Sequence, residues 1–309
     1  MLTYLIILLD DTSVSFCHAD NPCRERRLIP LDTLRQGIRY AMMENLTIQF
    51  VYPDYELPEE YGALIETIDH SKIKPIAEGA DVWVTDRPLE GDVAVPVVLR
   101  MAWHELFAKA DEVAEMVGRA PRLNIIVTDV EAFTDADIES YKTVLSKISE
   151  RVEKLTLQGQ MPWVNLVTDR MVLTEMNNCG AGVTSITLAP NGCFYLCPAF
   201  YYEAPEDSID SLDGDIDIPN AQLYRLEYAP LCRHCDAFQC RRCVWLNRRL
   251  TREVNTPGRE QCVMAHLERN ASQQVLKSVR KSNPAFLPEK EIAPITYLDP
   301  FDRRQEWND

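Results

Sequence analysis

Eight of the ten cysteines in this 309-residue chain lie within one stretch of the sequence. These eight are Cys179, Cys193, Cys197, Cys232, Cys235, Cys240, Cys243 and Cys262. Thiols at this density have three common uses in proteins, which are disulfide bonds, zinc sites and iron–sulfur clusters. The choice among these three chemistries is the main functional question that the sequence poses.

The start of the chain argues against disulfides. Residues 2–9 are apolar, but no basic segment precedes them and no small-residue cleavage site follows, so they do not resemble a signal peptide. Eight residues are also too few to span a bilayer. We therefore predict a buried strand here and a cytoplasmic location, where thiols stay reduced or bind metal.

The spacing of the cysteines favours iron–sulfur clusters over zinc. A zinc ribbon places two C-x2-C pairs roughly 15–20 residues apart, whereas four residues separate Cys235 from Cys240. A C-x2-C-x4-C run with a remote fourth thiolate suits a 4Fe-4S cluster, and eight cysteines divide into two such sets. Zinc in two interleaved sites is the alternative.

Charge is distributed unevenly along the chain. The net charge of −16 disfavours nucleic acid and membrane as partners and favours a peptide or another protein. Arginines nevertheless crowd the cysteine region, at positions 233, 241, 242, 248, 249, 252 and 259. Guanidinium groups offset the negative charge of a thiolate-ligated cluster, although solvated arginines or ion pairs explain some of them equally well. We predict that Arg241, Arg242 and His234 lie beside cluster sulfurs, and that His266 is a surface or core residue.

Hydrophobic patterning predicts an α/β fold, with a mostly parallel sheet arranged as a partial (β/α) barrel or an open sheet. The predicted strands are 2–9, 46–52, 72–77, 81–85, 93–101, 123–128 and 164–173. The predicted helices are 31–43, 59–69, 103–117 and 134–152, followed by a hairpin at 183–189 and 193–196, an acidic loop at 207–217 and a helix at 260–281. These elements divide into a sheet domain at 1–173, a cysteine-rich domain at 174–282 and an extended Pro-rich tail at 283–309.

The cysteine pattern resembles the SPASM domain, the two-cluster module of radical SAM peptide-modifying enzymes. The order Cys179-x12-Gly192-x4-Cys197, then the run from Cys232 to Cys243, then Cys262 matches that domain, with one residue of difference in two spacings. The resemblance implies two 4Fe-4S clusters. The first set of ligands would be Cys179, Cys197 and Cys243, with Cys193 as the candidate fourth ligand. The second set would be Cys232, Cys235, Cys240 and Cys262.

The front half departs from the radical SAM pattern. That family places C-x3-C-x2-C after its first strand to bind the cluster that chelates S-adenosylmethionine. Counted from Cys17, the other two positions here hold Asn21 and Arg24, and Pro53-Asp54 replaces the glycine-rich turn after the second predicted strand. We therefore predict no S-adenosylmethionine binding. Cys17, His18 and Cys23 are either part of a metal site with a distant ligand or, as we favour, ordinary loop residues.

Segments 16–18, 240–247, 251–262 and 266–270 resemble the CXXX repeat peptide maturases. That resemblance implies an iron–sulfur protein that acts on a ribosomally synthesised, cysteine-repeat precursor peptide, alone or beside a partner radical SAM maturase. The protein would relay electrons or ligate a substrate thiolate. Two alternatives stay open, namely an iron-dependent peptide-modifying enzyme that acts alone and a zinc-bound peptide- or protein-binding module. No catalytic residue is indicated.

Overall fold

The computed structural model describes residues 2–212, 214 and 216–287. The chain forms two compact units, each assembled from separated segments. The first unit comprises Met1–Asp86, Val95–Arg100 and Gly180–Arg225, and the second comprises Arg87–Ala94, Met101–Cys179 and Leu226–Asp309. The division of the sequence at residue 174 stays a prediction.

The strands in the described part of the chain are numbered in sequence order. They are β1 (Tyr4–Leu8), β2 (Thr47–Val51), β3 (His70–Lys74), β4 (Val82–Thr85), β5 (Val97–Met101), β6 (Leu123–Val127), β7 (Ser185–Leu188), β8 (Cys193–Tyr195) and β9 (Asp210–Ser211). In the first unit the strand order is β5-β4-β3-β2-β1-β7-β8-β9. Neighbouring strands from β5 through β7 in this order pair in parallel. Strand β8 pairs in the antiparallel direction with both β7 and β9. This arrangement confirms the predicted open, mostly parallel α/β sheet.

The helices are numbered in the same way. They are α1 (Leu31–Met43), α2 (Glu59–Ile65), α3 (Trp103–Ala108), α4 (Ala110–Met116), α5 (Ile138–Leu157), α6 (Asp169–Val172), α7 (Pro198–Glu203), α8 (Val244–Thr251) and α9 (Arg259–Ser282). None of the helices in the described ranges combines the length and the hydropathy that crossing a membrane requires.

Strand β1 is the centre of the first unit because both of its neighbours pair with it in parallel. Leu5 and Ile7 of this strand are fully buried, as a central strand that is covered on its faces requires. Helix α1 contributes Leu34 and Ile38 to the same core. The continuous apolar run at the start of the sequence is therefore explained by burial.

In the second unit, α5 packs against α9. The two helices bury apolar side chains and one polar contact, in which the Tyr141 hydroxyl donates to Glu268 Oε1 at 2.6 Å. Gln239 Nε2 donates to the other carboxylate oxygen at 3.3 Å. Burial raises the pKa of Glu268 to about 7, although these two hydrogen bonds act in the opposite direction.

Three predicted elements were wrong. The helix predicted at 103–117 is divided into α3 and α4 at Lys109, whose backbone leaves the helical region. The strand predicted at 164–173 is limited to one bridge between Leu123 and Val164, because the Thr168 hydroxyl bonds back to the Val164 backbone and closes a turn before α6. The acidic loop predicted at 207–217 contains β9, which pairs with β8.

The C-terminal predictions had mixed outcomes. The hairpin between β7 and β8 and the long helix α9 are confirmed. Of the predicted extended tail, Pro284 and Ala285 form a turn, and residues 288–309 lie outside the described residues.

Two helical glycines allow a test of the packing in the first unit. A Cβ atom at Gly37 in α1 would overlap with Leu188 of β7, whereas one at Gly62 in α2 would meet nothing within 4 Å. We expect Gly37→Ala to lower the free energy of unfolding by about 1–3 kcal/mol through overpacking. Gly62→Ala should raise it by up to about 1 kcal/mol through helix propensity. Urea unfolding measures both changes, and equal effects of the two variants would contradict this packing.

The buried Glu268 carboxyl predicts a pH dependence of stability. Its pKa is about 7 in the folded chain, against an ordinary glutamate value of 4.5, so the folded state holds the proton more tightly. The free energy of unfolding should therefore fall as pH rises from about 4.5 to about 7, by about 3 kcal/mol from this group. Glu268→Gln should lack this component in urea unfolding at pH 5 and pH 8.

Glu150→Gln, at an exposed position of α5, serves as the matched control for Glu268→Gln. We expect this variant to keep the full pH dependence of the wild-type chain. An identical pH profile for wild type and Glu268→Gln would contradict the burial of the carboxyl.

Candidate metal centre

The cysteines are distributed over both units, and within the described residues none of them forms a disulfide bond. The first unit contains Cys17, Cys23, Cys193 and Cys197. The second contains Cys179, Cys232, Cys235, Cys240, Cys243 and Cys262. Within residues 2–212, 214 and 216–287, no three Cys, His, Asp or Glu side chains converge closely enough to hold one metal ion. Cys17, His18 and Cys23 are therefore not gathered around one ion position, and their assignment to a metal stays a prediction.

The run from Cys232 to Cys240 is folded back on itself in the second unit. Cys235 N donates to Cys232 O at 3.0 Å within a short 3-10 turn, and Ala237 N donates to the Cys235 sulfur at 3.5 Å. Cys240 N then donates to Ala237 O at 3.0 Å. These turns bring three of the four predicted ligands of the second cluster into one small region.

Burial dominates the chemistry of these thiols. It raises the pKa of Cys232 to about 12, and it raises the pKa of Cys240 further. Cys232 and Cys235 also lie near enough to Cys240 to raise its pKa. The thiols are thus protonated at neutral pH in the absence of a cation, and a bound metal would displace the protons.

Arg242 places a buried positive charge beside these thiols. Its side chain is fully buried, its backbone φ is 44°, and its Nε donates to Asn178 Oδ1 at 2.8 Å. The guanidinium acts against burial and lowers the pKa of Cys232. The Arg242 backbone forms a hydrogen bond with the Cys240 sulfur, which likewise acts against the effect of burial on Cys240. A buried guanidinium is unfavourable without negative charge nearby, so its position favours negative charge on the neighbouring sulfurs. The donor set and its surroundings therefore fit a thiolate-ligated cluster.

Arg241 lies beside two thiols that were predicted to hold the first cluster, Cys179 and Cys243. Desolvation and the nearby Arg122 lower the pKa of Arg241, whereas Asp169 and the two thiols act in the opposite direction. Arg241 and Arg242 thus both lie near cysteines, and their place beside a cluster stays a prediction.

The histidine near the thiols differs from the one that the sequence suggested. His234 is exposed, whereas His266 on α9 is buried and its Nε2 lies 3.6 Å from the Cys235 sulfur. Sequence reasoning missed this contact. The available signal was the spacing of Cys262 and His266, which are four residues apart and so share one face of the helix.

A buried ion-pair network fixes the position of the Cys235 turn. Asp236 accepts from Arg170 Nη2 at 3.1 Å and from Arg269 Nη1 at 2.9 Å, and Arg170 Nε donates to the Asp236 backbone oxygen at 2.8 Å. Arg170 comes from α6 and Arg269 from α9. The residue next to Cys235 is therefore held from two helices.

In the first unit, the loop after β1 is organised by hydrogen bonds. Arg100 Nε donates to Cys17 O at 2.9 Å, and Arg100 Nη2 donates to Ala19 O at 2.9 Å and to Asp20 at 2.8 Å. The Asn21 amide donates to the backbone oxygens of residues 11 and 13 at 2.8 and 2.9 Å. Asn21, at the position where the radical SAM pattern has a second cysteine, is thus used to shape the loop.

This loop borders a cavity of about 750 Å³ at the carboxyl ends of the parallel strands, where ligands bind in open α/β sheets. Its charged lining residues are Asp20, Arg24, Arg26, Asp54, Asp86 and Arg100, and Cys23 also lines it. Among these residues, Arg100 pairs with Asp20 at 2.8 Å and Arg26 pairs with Asp54 at 3.9 Å.

No family model and no curated protein matches this sequence. Solved structures do match it. The structure of anSMEcpe with bound AdoMet has a TM-score of 0.61 at 8% identity, over 90% of this chain and 96% of that chain. Its complex with AdoMet and the Cp18Cys peptide has a TM-score of 0.59 at 9% identity, over 91% and 99%. The complex with the Kp18Cys peptide has a TM-score of 0.59 at 10% identity, over 90% and 99%. This chain therefore shares its fold, over nearly the full described length, with the structures of anSMEcpe.

Proposed function

We propose that this chain is a cytoplasmic iron–sulfur protein that acts in the maturation of a ribosomally synthesised, cysteine-rich peptide. It binds the precursor peptide or a partner radical SAM maturase, and it relays electrons or ligates a substrate thiolate. The observation that carries the proposal is the fully buried Arg242 guanidinium beside the Cys232 thiol. Thiolates on a cluster supply the negative charge that this guanidinium favours.

The proposed ligands are two sets of four cysteines. Cys232, Cys235, Cys240 and Cys262 hold the second cluster, and Cys179, Cys193, Cys197 and Cys243 hold the first. A bound 4Fe-4S cluster supplies electron transfer when all four irons carry protein thiolates, and an open iron binds a substrate sulfur when one thiolate is missing.

The residues around the second set have positioning roles in this proposal. The Asp236 network with Arg170 and Arg269 keeps the Cys235 turn in place. The His266 imidazole forms a hydrogen bond with the Cys235 sulfur, and hydrogen bonds to ligand sulfurs are one way in which proteins tune a cluster. Two helices and one buried guanidinium thus support a single loop of thiols.

The peptide part of the proposal rests on the fold. The structures of anSMEcpe with the Cp18Cys and Kp18Cys peptides support a peptide as the substrate class of this fold. The net charge of −16 favours a neutral or cationic peptide. We also propose that S-adenosylmethionine is not a cofactor, since Asn21 and Arg24 occupy two of the three thiolate positions of the radical SAM loop.

Substitution of one ligand tests the second cluster. We expect Cys262→Ser to lose up to about half of the roughly eight irons of the anaerobically purified chain, because one of two 4Fe-4S clusters keeps only three thiolates and is bound less tightly. Cys23→Ser is the matched control, since Cys23 is also partly buried but lies outside both proposed sets. Iron and sulfide analysis measures both variants. Equal iron loss in the two variants, or none in Cys262→Ser, contradicts the assignment.

Cys193 decides between the two proposed roles of the first cluster. We expect Cys193→Ala to leave one iron open, so that an added cysteine-containing peptide changes the electron paramagnetic resonance spectrum of the reduced protein. The wild-type spectrum should not respond, because its cluster has a full set of thiolates. Unchanged iron content and spectra in Cys193→Ala would exclude Cys193 as a ligand.

A second experiment separates a relay protein from an independent enzyme. We expect the isolated chain to bind the precursor peptide without converting it, because the radical SAM loop lacks two thiolates. Mass spectrometry of the peptide after incubation with the reduced chain alone measures this. Modified peptide in that incubation would show that the chain acts as an enzyme on its own.

A further inference from the structure

Glu268 on α9 is a buried carboxyl in the second unit, 7% exposed, and the proposed function gives it no role. The Tyr141 hydroxyl donates to one of its oxygens at 2.6 Å, and Gln239 Nε2 donates to the other at 3.3 Å. Burial raises its pKa to about 7. Both forms of this carboxyl are therefore populated near neutral pH, and a change of charge nearby can add or remove its proton.

Gln239 connects this carboxyl to the loop that runs from Cys232 to Cys240, here called the thiol loop. Gln239 directly precedes Cys240, and its Nε2 also donates to the backbone oxygen of Ala265 on α9 at 2.7 Å. All four proposed ligands of the second cluster lie in the same unit as Glu268. Hydrogen bonds within one unit thus hold the carboxyl against the residue that precedes a proposed ligand.

The Gln239 amide also has an unused acceptor. Its Oε1 is buried and forms no hydrogen bond with any group in the described part of the chain. An ionised carboxylate only accepts hydrogen bonds, as Glu268 does from Gln239 Nε2, whereas a protonated carboxyl also donates one. The same amide therefore offers a donor to the ionised form of Glu268 and an acceptor to the protonated form.

Charged and titratable groups lie on every element that packs against Glu268. They are Tyr141 of α5, Arg170 of α6, Glu131 of the 3-10 turn at 130–132, Asp236 and Cys240 of the thiol loop, and His266 and Arg269 of α9 itself. Asp236 is paired with both of these arginines, and Glu131 is paired with Arg249 at 2.7 Å. Histidine side chains ordinarily change charge between pH 5 and pH 8, so His266 is the competing proton acceptor.

We propose that Glu268 binds a proton when an electron is added to the second cluster. The electron comes from a one-electron donor and the proton from solvent, so the net charge of the site stays unchanged. The inference rests on the proposed function, because it requires the second set of cysteines to hold a cluster. Added negative charge in a weakly screened interior favours the protonated carboxyl, and protonation in turn favours the reduced cluster. Glu268 is thus a proton acceptor and not a ligand.

The test uses the full-length, cluster-containing chain and its Glu268→Gln variant, whose amide does not titrate. Reduction potentials are measured by dithionite titration followed by electron paramagnetic resonance, from about pH 6 to about pH 8. We expect one of the two wild-type potentials to fall as pH rises, because loss of the proton makes reduction less favourable. A fully coupled proton changes the reduction equilibrium tenfold per pH unit, which is about 59 mV for one electron. That potential should not depend on pH in Glu268→Gln.

Glu150→Gln, which removes an exposed carboxyl of the same unit, is the matched control and should keep the wild-type dependence. The same slope in wild type and Glu268→Gln would assign the proton to His266 or another group and overturn the inference. Infrared difference spectra give a second measurement. Reduction of the wild-type chain should add the C=O band of a protonated carboxyl that Glu268→Gln lacks, and a wild-type spectrum without that band would also overturn the inference.

Tyr141→Phe tests the carboxyl while leaving it in place. The Tyr141 hydrogen bond lowers the pKa of Glu268, so its loss should raise that pKa and move the pH range of the sloping potential upward. A purely structural role of Tyr141 would not move this range. An unchanged range in Tyr141→Phe would show that the proton is held elsewhere and would overturn the inference.

The outcomes separate this inference from the proposed function. A wild-type chain that contains no iron would contradict the function and the inference together. A wild-type chain with two clusters whose potentials are both independent of pH would overturn the inference alone.

Discussion

A buried guanidinium beside protonated thiols is the interaction on which the cysteine-rich region depends. Arg242 is fully buried in an otherwise acidic chain, and its backbone adopts a left-handed conformation that non-glycine residues rarely occupy. Moving a charge out of water is unfavourable unless an opposite charge accompanies it. Cys232 and Cys240 lie near this guanidinium, and in the proposed cluster their thiolates add negative charge beside it.

The supports of this region come from helices that are remote in sequence. Helix α6 provides Arg170 and helix α9 provides Arg269 and His266, and all three reach residues 235 or 236. Each contact is polar and largely buried, so each is stronger here than on the surface. The thiol loop itself contains short turns and one 3-10 segment, and it therefore takes its rigidity from these neighbours.

The front of the chain forms a polar cavity, and Asn21 and Arg24 stand where the radical SAM pattern has two of its cysteines. The cavity lies at the carboxyl ends of parallel strands, as in other open α/β sheets. The loop that borders it is held by Arg100 and Asn21 through backbone hydrogen bonds. Asn21 thus shapes the loop at a position where the radical SAM pattern has a cysteine.

The sequence was sufficient for elements whose burial is local. The apolar run of β1, the 3.6-residue period of α1 and α9, and the turn before β8 predicted those elements because each pattern reports its own environment. The sequence did not predict features of the structure that depend on contacts beyond the local pattern. The Thr168 hydroxyl closes the turn after Val164, and His266 reaches Cys235 only through the packing of α9. Each compact unit is assembled from segments that are separated in the sequence, and no local pattern reveals this division.

The metal content of the anaerobically purified, full-length chain tests the central claim most directly. Iron, acid-labile sulfide and zinc are measured per chain in the same sample. The buried guanidinium and the two sets of thiols predict about eight irons and about eight sulfides, with no stoichiometric zinc. Stoichiometric zinc without iron, or a stable chain that binds neither metal, would contradict the account.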